Sequence, residues 1–141
     1  MTPEPVTSLI YVSRKTAPGD DAAVQEILRV SRERNKALHV TGDLVSVTGT
    51  FAQLIEGPEP AIAELMESIN RDTRHRQISV LRVLHGVNRR FANWTMAYSG
   101  NDFYMERHLE RLLDAPSGPL RAERLEQLEM LMKEFASRLG G

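Results

Sequence analysis

The stretch Thr41–Gly57, TGDLVSVTGTFAQLIEG, decides how this chain is read. Two runs rich in Val, Leu, Phe and Ile flank Thr48-Gly49, the composition of adjacent antiparallel strands joined by a tight turn. In the second run Phe51, Gln53 and Ile55 share one face, and Ala52, Leu54 and Glu56 share the other, because side chains alternate along a strand. Gln53 therefore sits among apolar residues. A buried primary amide has two N–H donors and a carbonyl acceptor to satisfy, and leaving them unpaired costs about 1–3 kcal/mol. Its partner is either another part of the chain or a ligand.

Upstream of this hairpin, Thr7–Ser13, TSLIYVS, reads as a buried strand, with Tyr11 and Ser13 on one face. Pro18-Gly19-Asp20 reads as a turn, with Asp20 or Asp21 capping the helix that follows. In that helix Val24, Ile27, Leu28 and Ser31 keep the spacing of one inward face, and the helix is expected to end near Asn35. Downstream, Gly57-Pro58 stops the hairpin. Ala61–Asn70 is an amphipathic helix with Ile62, Leu65, Met66 and Ile69 inward, and Arg71–Gln77 is a polar link. Strands are expected at Ile78–Leu84 and Trp94–Tyr98, the latter placing Trp94, Met96 and Tyr98 on one face.

This order gives an α+β fold: a ferredoxin-like β-α-β-β-α-β arrangement with an added fifth strand and two helices at the C-terminus. The first and third strands are central, so Tyr11 and Gln53 can be neighbours. The terminal helices are expected at Asn101–Leu113 and Leu120–Leu139, separated by Pro116-Ser117-Gly118-Pro119. Leu125, Leu128, Met132, Phe135 and Leu139 form an apolar seam on the second. Residues 1–100 are thus expected to be one unit that can carry a binding site. Residues 101–141 are expected to be an extension that packs on the bare sheet face or mediates oligomerisation.

At 141 residues the chain has the size of one domain, and its 41% hydrophobic and 26% charged content is ordinary for a globular protein. A net charge of −1 argues against direct nucleic-acid binding. There are no cysteines, hence no disulfides and no thiolate chemistry. No stretch reaches about 18 consecutive apolar residues, and MTPEPV lacks the features of an export signal. A cytoplasmic protein without membrane contact is expected. His39, His75, His85 and His108 lack metal-ligand spacing, and no hydrolase or nucleotide-binding motif appears.

The polar groups that could carry chemistry are Tyr11, Asn35, Gln53 and the Arg74-His75 pair. A slot between two helices, floored by Tyr and Gln and rimmed by Asn and Arg, suits a flat heteroaromatic ligand with amide and imide edges. Each residue also has a plainer reading: Tyr11, Trp94 and Met96 as core, Asn35 as a helix C-cap, and Arg74-His75 as a solvated loop. Two other functions fit the same fold. One is a regulatory or scaffold module without a ligand. The other is a small acylphosphatase-like hydrolase, which would need a Gly-rich anion loop where this chain has Arg14-Lys15-Thr16-Ala17-Pro18.

Taken together, LIYVS, SRERNKALHVTG, GTFAQLIEG, INRDTRHRQI and RRFANWTM, in this order from Leu9 to Tyr98, resemble the BLUF domains, blue-light sensors that use FAD. The short helical tail resembles the stand-alone type. The resemblance implies a photoreceptor that is not an enzyme, with FAD as chromophore and FMN or riboflavin as further candidates. Its partners would be a second copy or a downstream signalling protein. Tyr11 and Gln53 would be the photoactive pair, with electron and proton transfer between Tyr11 and the flavin through Gln53. Asn35 and Arg74 would bind the carbonyl edge of the ring, and His75 would touch it. Ile27, Ser31, Arg34 and Ile69 would line the site from the helices, and Trp94 and Met96 would adjoin Gln53. Two residues depart from the family pattern. Arg34 stands where many relatives carry Asn or His. Asp43 replaces an apolar or small residue, and is expected to have a partner, be exposed, or face the tail side of the sheet.

Overall fold

A computed structural model describes residues 4–16, 21–100 and 103–139. The expected Pro18–Asp20 turn, its Asp20 or Asp21 cap, the helix start at Asn101 and the side chains of Phe103 and Leu139 lie outside the described residues. In chain order the elements are β1 (Val6–Lys15), α1 (Asp21–Leu38), β2 (Thr41–Val47), β3 (Thr50–Gly57), α2 (Glu59–Arg71), β4 (His75–Val87), β5 (Ala97–Gly100), α3 (Phe103–Asp114) and α4 (Pro119–Leu139). Among the described residues the strands form one mixed sheet in the order β4-β1-β3-β2-β5, in which only β2 and β5 run parallel.

The β2–β3 hairpin closes at Gly49, whose φ of 75° suits a residue without a side chain. Gly42 serves a second purpose. A Cβ there would lie 2.1 Å from the Leu54 carbonyl oxygen, so any larger residue would push β2 away from β3. Alternation along the strands then divides the core in two. Leu9, Tyr11, Leu44, Phe51 and Ile55 face α1 and α2, where Val24, Leu28, Ile62, Leu65 and Ile69 meet them. Ile10, Val12, Val45, Ala52 and Leu54 face Met105, Leu109, Leu112, Leu125, Leu128 and Met132 of α3 and α4.

Three elements differ from their expected bounds by three residues at an end. Helix α1 runs three residues past Asn35, and His39, with φ of 57°, takes the left-handed position instead. Lys36, Ala37 and Leu38 are good helix formers, and Asn35 has a buried hydrogen bond of its own, so nothing ends the helix at Asn35. Strand β4 starts at His75, because Lys15 and Arg14 at the end of β1 pair with His75 and Arg76. Strand β5 begins at Ala97, not Trp94. The Trp94 N–H instead donates to Phe91 O at 3.0 Å in a turn, so strand alternation does not extend back to Trp94. Trp94 and Met96 consequently lie on opposite sides of the sheet: Trp94 packs with Phe91 on the α3–α4 side, and Met96 belongs to the α1–α2 core.

Buried polar groups fix the tail side. Glu56 accepts from Thr41 Oγ1 at 2.8 Å, Arg90 N at 2.8 Å and Phe91 N at 2.6 Å, which pins the segment between β4 and β5. Glu129 on α4 pairs with Arg82 at 2.6 Å and with Arg90. Asp43 is buried on this same side, with Ser99 as its partner.

Leu128 is fully buried between α4 and the sheet, whereas Met130 two residues on is 68% exposed. Leu128→Ala is expected to cost about 2–5 kcal/mol of folding stability. Met130→Ala should stay within about 0.5 kcal/mol. Urea unfolding midpoints of the two variants check this, and equal midpoints would contradict the packing of α4 on the sheet.

Candidate functional site

Tyr11 and Gln53 are direct register partners on the two central strands, β1 and β3, and both are buried. The Tyr11 O–H donates to Gln53 Oε1, and Gln53 Nε2 donates to Met96 Sδ at 3.4 Å. The amide thus has its acceptor end on a phenol and its donor end on a thioether, a weak acceptor. Burial raises the Tyr11 phenol well above the usual tyrosine range, with the negative Asp72 adding to the effect and Arg34 opposing it. Tyr11 is held protonated, as its role of donor to Gln53 requires.

Above this floor lies a cleft between α1 and the end of α2. Helix α1 contributes Ile27, Val30, Ser31 and Arg34, the strands Tyr11, Leu44, Phe51 and Gln53, and the far wall Ile69, Asp72, Arg74 and His75. Asp72 clamps Arg74: its carboxylate accepts from Nη2 at 2.6 Å and from Nε at 2.9 Å. Burial pushes the Asp72 carboxyl up, but the Arg74 hydrogen bonds outweigh it and hold it below the usual carboxylate range. Arg34 Nη1 donates to Ser68 Oγ at 2.9 Å and so ties α1 to α2. Its partial burial pulls its pKa down, against the pull of Tyr11 and Asp72.

His75 bridges three elements. Its Nε2–H donates to Ile69 O at 2.8 Å, and its Nδ1 is hydrogen-bonded to Ser13 Oγ at 2.7 Å. Its ring stands edge-on to Tyr11 and Phe51, at 6.1 and 6.2 Å between centroids.

Of the residues singled out from sequence, Tyr11, Ile27, Ser31, Arg34, Gln53, Ile69, Arg74 and His75 come together around this cleft. Met96 reaches it through Gln53. Asn35 is wholly buried within α1: Nδ2 donates to Thr95 O at 2.8 Å, while Oδ1 has no partner. Trp94 is not brought to the site but lies on the other side of the sheet. Four lining residues were not foreseen. Phe51 and Leu44 were legible in principle, one sharing Gln53's strand face and the other being its direct β2 partner. Val30 follows Ile27 at helical spacing. Asp72 gave no signal within a polar link.

The residues fit a flavin. A slot lined by apolar and polar side chains carries an amide and a phenol on its floor and cations at its rim, and the buried Nε of Arg34 there has no partner. A family model described as "BLUF: Sensors of blue-light using FAD" matches residues 6–97. The chain belongs to the BLUF family. It is a flavin-binding blue-light sensor domain, and FAD is the cofactor of that family. The dark-state structure of BlrB, a BLUF protein, matches with a TM-score of 0.74 and 35% identity over 89% of this chain and 95% of that one. A photoactivated adenylate cyclase subunit beta of Euglena longa is 34% identical over 92 residues, 64% of this chain and 11% of that protein. The blue light- and temperature-regulated antirepressor BluF of Escherichia coli (strain K12) is 33% identical over 86 residues, 61% of this chain and 21% of its own length. The chain therefore spans about a tenth of the first curated relatives it matches.

The burial of Tyr11 makes a direct prediction. In an absorbance titration of the folded protein, wild type and Tyr11→Phe should ionise with the same amplitude up to about pH 11, because the Tyr11 phenol stays protonated there. A larger amplitude in wild type would mean that the Tyr11 phenol is accessible.

Proposed function

We propose that this BLUF domain works as a hydrogen-bond switch in which Gln53 is the moving part and Tyr11 its trigger. The observation that carries this reading is the buried chain Tyr11–Gln53–Met96 along the floor of the cleft. Asn35, Arg34, Arg74 and His75 hold the polar edge of the ring system, and Ile27, Ser31 and Ile69 pack along it. When bound, the flavin supplies a blue-light absorber that becomes a strong oxidant in its excited state. A phenol that gives up an electron becomes strongly acidic, and Gln53 Oε1 is already the acceptor of its proton.

Protonation at Oε1 loosens the amide, which turns before the electron and the proton return to Tyr11 and restore its O–H. A primary amide presents opposite hydrogen-bond polarity at its two ends. Half a turn therefore reverses what Gln53 offers to Tyr11, to Met96 and to the cofactor edge together. Met96 immediately precedes β5, so the change is felt first in that strand.

The output goes to another protein or to a second copy of this chain. The Euglena and E. coli relatives are named as a cyclase subunit and an antirepressor. In this chain the segment after the family match holds α3 and α4, and we assign residues 1–100 to sensing and 101–141 to relaying. The domain itself turns over no substrate, touches neither nucleic acid nor membrane, and works in the cytoplasm. Among the described residues no helix is long and apolar enough to cross a membrane.

Purified protein should be yellow, and blue light should shift its absorption to the red reversibly. Gln53→Leu should keep the colour and abolish the shift, and Tyr11→Phe should abolish it too. Protein that cannot take up FAD, or a normal shift in Gln53→Leu, would overturn the reading.

A further inference from the structure

Asp43 is a buried acid that the Tyr11–Gln53 reaction leaves unused. It is wholly enclosed on β2, opposite Leu54 of β3 and Ala97 of β5. Ser99 Oγ lies between two acceptors: Asp43 Oδ2, and the main-chain oxygen of Met132 on α4 at 3.3 Å. Asp43 Oδ1 has no partner. Burial pushes the Asp43 carboxyl up to about 7, although the Ser99 hydrogen bond pulls the other way.

A serine hydroxyl has one proton to give. If Asp43 is ionised, its carboxylate can only accept, so it takes the Ser99 proton and Met132 O receives none. If Asp43 is protonated, the acid donates to Ser99 Oγ and the serine proton turns to Met132 O. One proton on Asp43 therefore decides whether β5 is hydrogen-bonded to α4. The same short segment carries Met96, the acceptor of Gln53, three residues before Ser99.

Building on the reading of Gln53 as the light-switched amide, we propose that Asp43 and Ser99 are positioning residues of the light response. Protonated Asp43 directs Ser99 onto α4 and clasps β5 to it, and ionised Asp43 releases the clasp. The charged groups on this side of the sheet include Glu56 on β3, Glu126 and Glu129 on α4, and Arg82 and Arg90, which pair with both α4 carboxylates. Glu56 is bonded to the main chain of Arg90 and Phe91, and Glu129 to the two arginines. Helix α3 presents the buried Met105 and Leu109. Burial, not a charged neighbour, is what shifts Asp43.

The test compares wild type, Asp43→Asn and Ser99→Ala at about pH 6 and about pH 8, on either side of the Asp43 midpoint. The Asn amide donates to Ser99 as the protonated acid does, so Asp43→Asn mimics the clasped state. Hydrogen exchange of the amides around Met132 is followed in the dark, corrected for the intrinsic pH dependence of exchange. Wild type should exchange about fivefold faster at the higher pH, the factor corresponding to one ordinary hydrogen bond. Asp43→Asn should stay slow at both pH values, and Ser99→Ala fast at both. After a blue pulse, the recovery rate should depend on pH in wild type and be flat in both variants, with the red shift kept in all three. A wild-type pH profile surviving in either variant would belong to other groups and would overturn the clasp. A red shift missing from wild type would overturn the Gln53 reading alone, and the exchange data would still decide for or against the clasp.

Discussion

The hydrogen bond from Tyr11 to Gln53 is the constraint from which the rest of the molecule follows. A fully buried amide is tolerated only where its carbonyl and its N–H both find partners. Tyr11 can serve the carbonyl only if β1 lies directly beside β3, in the register Tyr11↔Gln53. Two strands that are neighbours in the sheet but separated in sequence by α1 and β2 require the crossover arrangement seen here. α1 and α2 then share the sheet face that carries Gln53, and the cleft between them lies over the pair.

That choice leaves the second sheet face without cover, and the tail supplies it. The apolar contacts of α3 and α4 provide most of the favourable energy there, since each buried large aliphatic side chain contributes about 1.5–3 kcal/mol. The polar groups on this side add position more than energy. Glu56 holds the main chain at Arg90 and Phe91, and Glu129 holds Arg82 and Arg90. The segment from β4 to β5 is therefore fixed from beneath by β3 and from outside by α4. Removing one partner from such a buried pair costs more than the pair itself contributes, because the other charge stays buried.

The hairpin, the adjacency of β1 and β3, both helix faces and the Tyr11–Gln53 pairing were legible in the sequence, because they rest on periods of two or 3.6 residues, on turn chemistry and on the order of elements. What was misjudged depends on contacts distant in sequence. Asn35 reads as a helix end because Asn tolerates left-handed backbone, yet its amide is needed by Thr95 O, sixty residues on, and His39 takes the turn instead. Trp94 and Met96 obey strand alternation only if a strand is there, and the turn at Phe91–Trp94 replaces it. Asp43 was recognisable as costly, but its Ser99 partner comes from β5, whose parallel register beside β2 no local pattern announces.

The stiffness around Met96 determines where a change at Gln53 can go. Arg32 Nε donates to Met96 O at 3.0 Å, and Asn35 Nδ2 to Thr95 O at 2.8 Å, so the main chain just before β5 is anchored to α1. Gly42 N also donates to Trp94 O at 3.1 Å, anchoring the same segment to β2. A reversal of the Gln53 amide that deprives Met96 Sδ of its donor therefore cannot be absorbed upstream. It is taken up by the Met96 side chain itself or passed forward along the four residues of β5. Ser99 on that path lies against α4, where the main-chain oxygen of Met132 is its partner outside the sheet. A short edge strand anchored at one end and bonded to a mobile proton at the other is a sound place to convert a side-chain rotation into a difference at the surface.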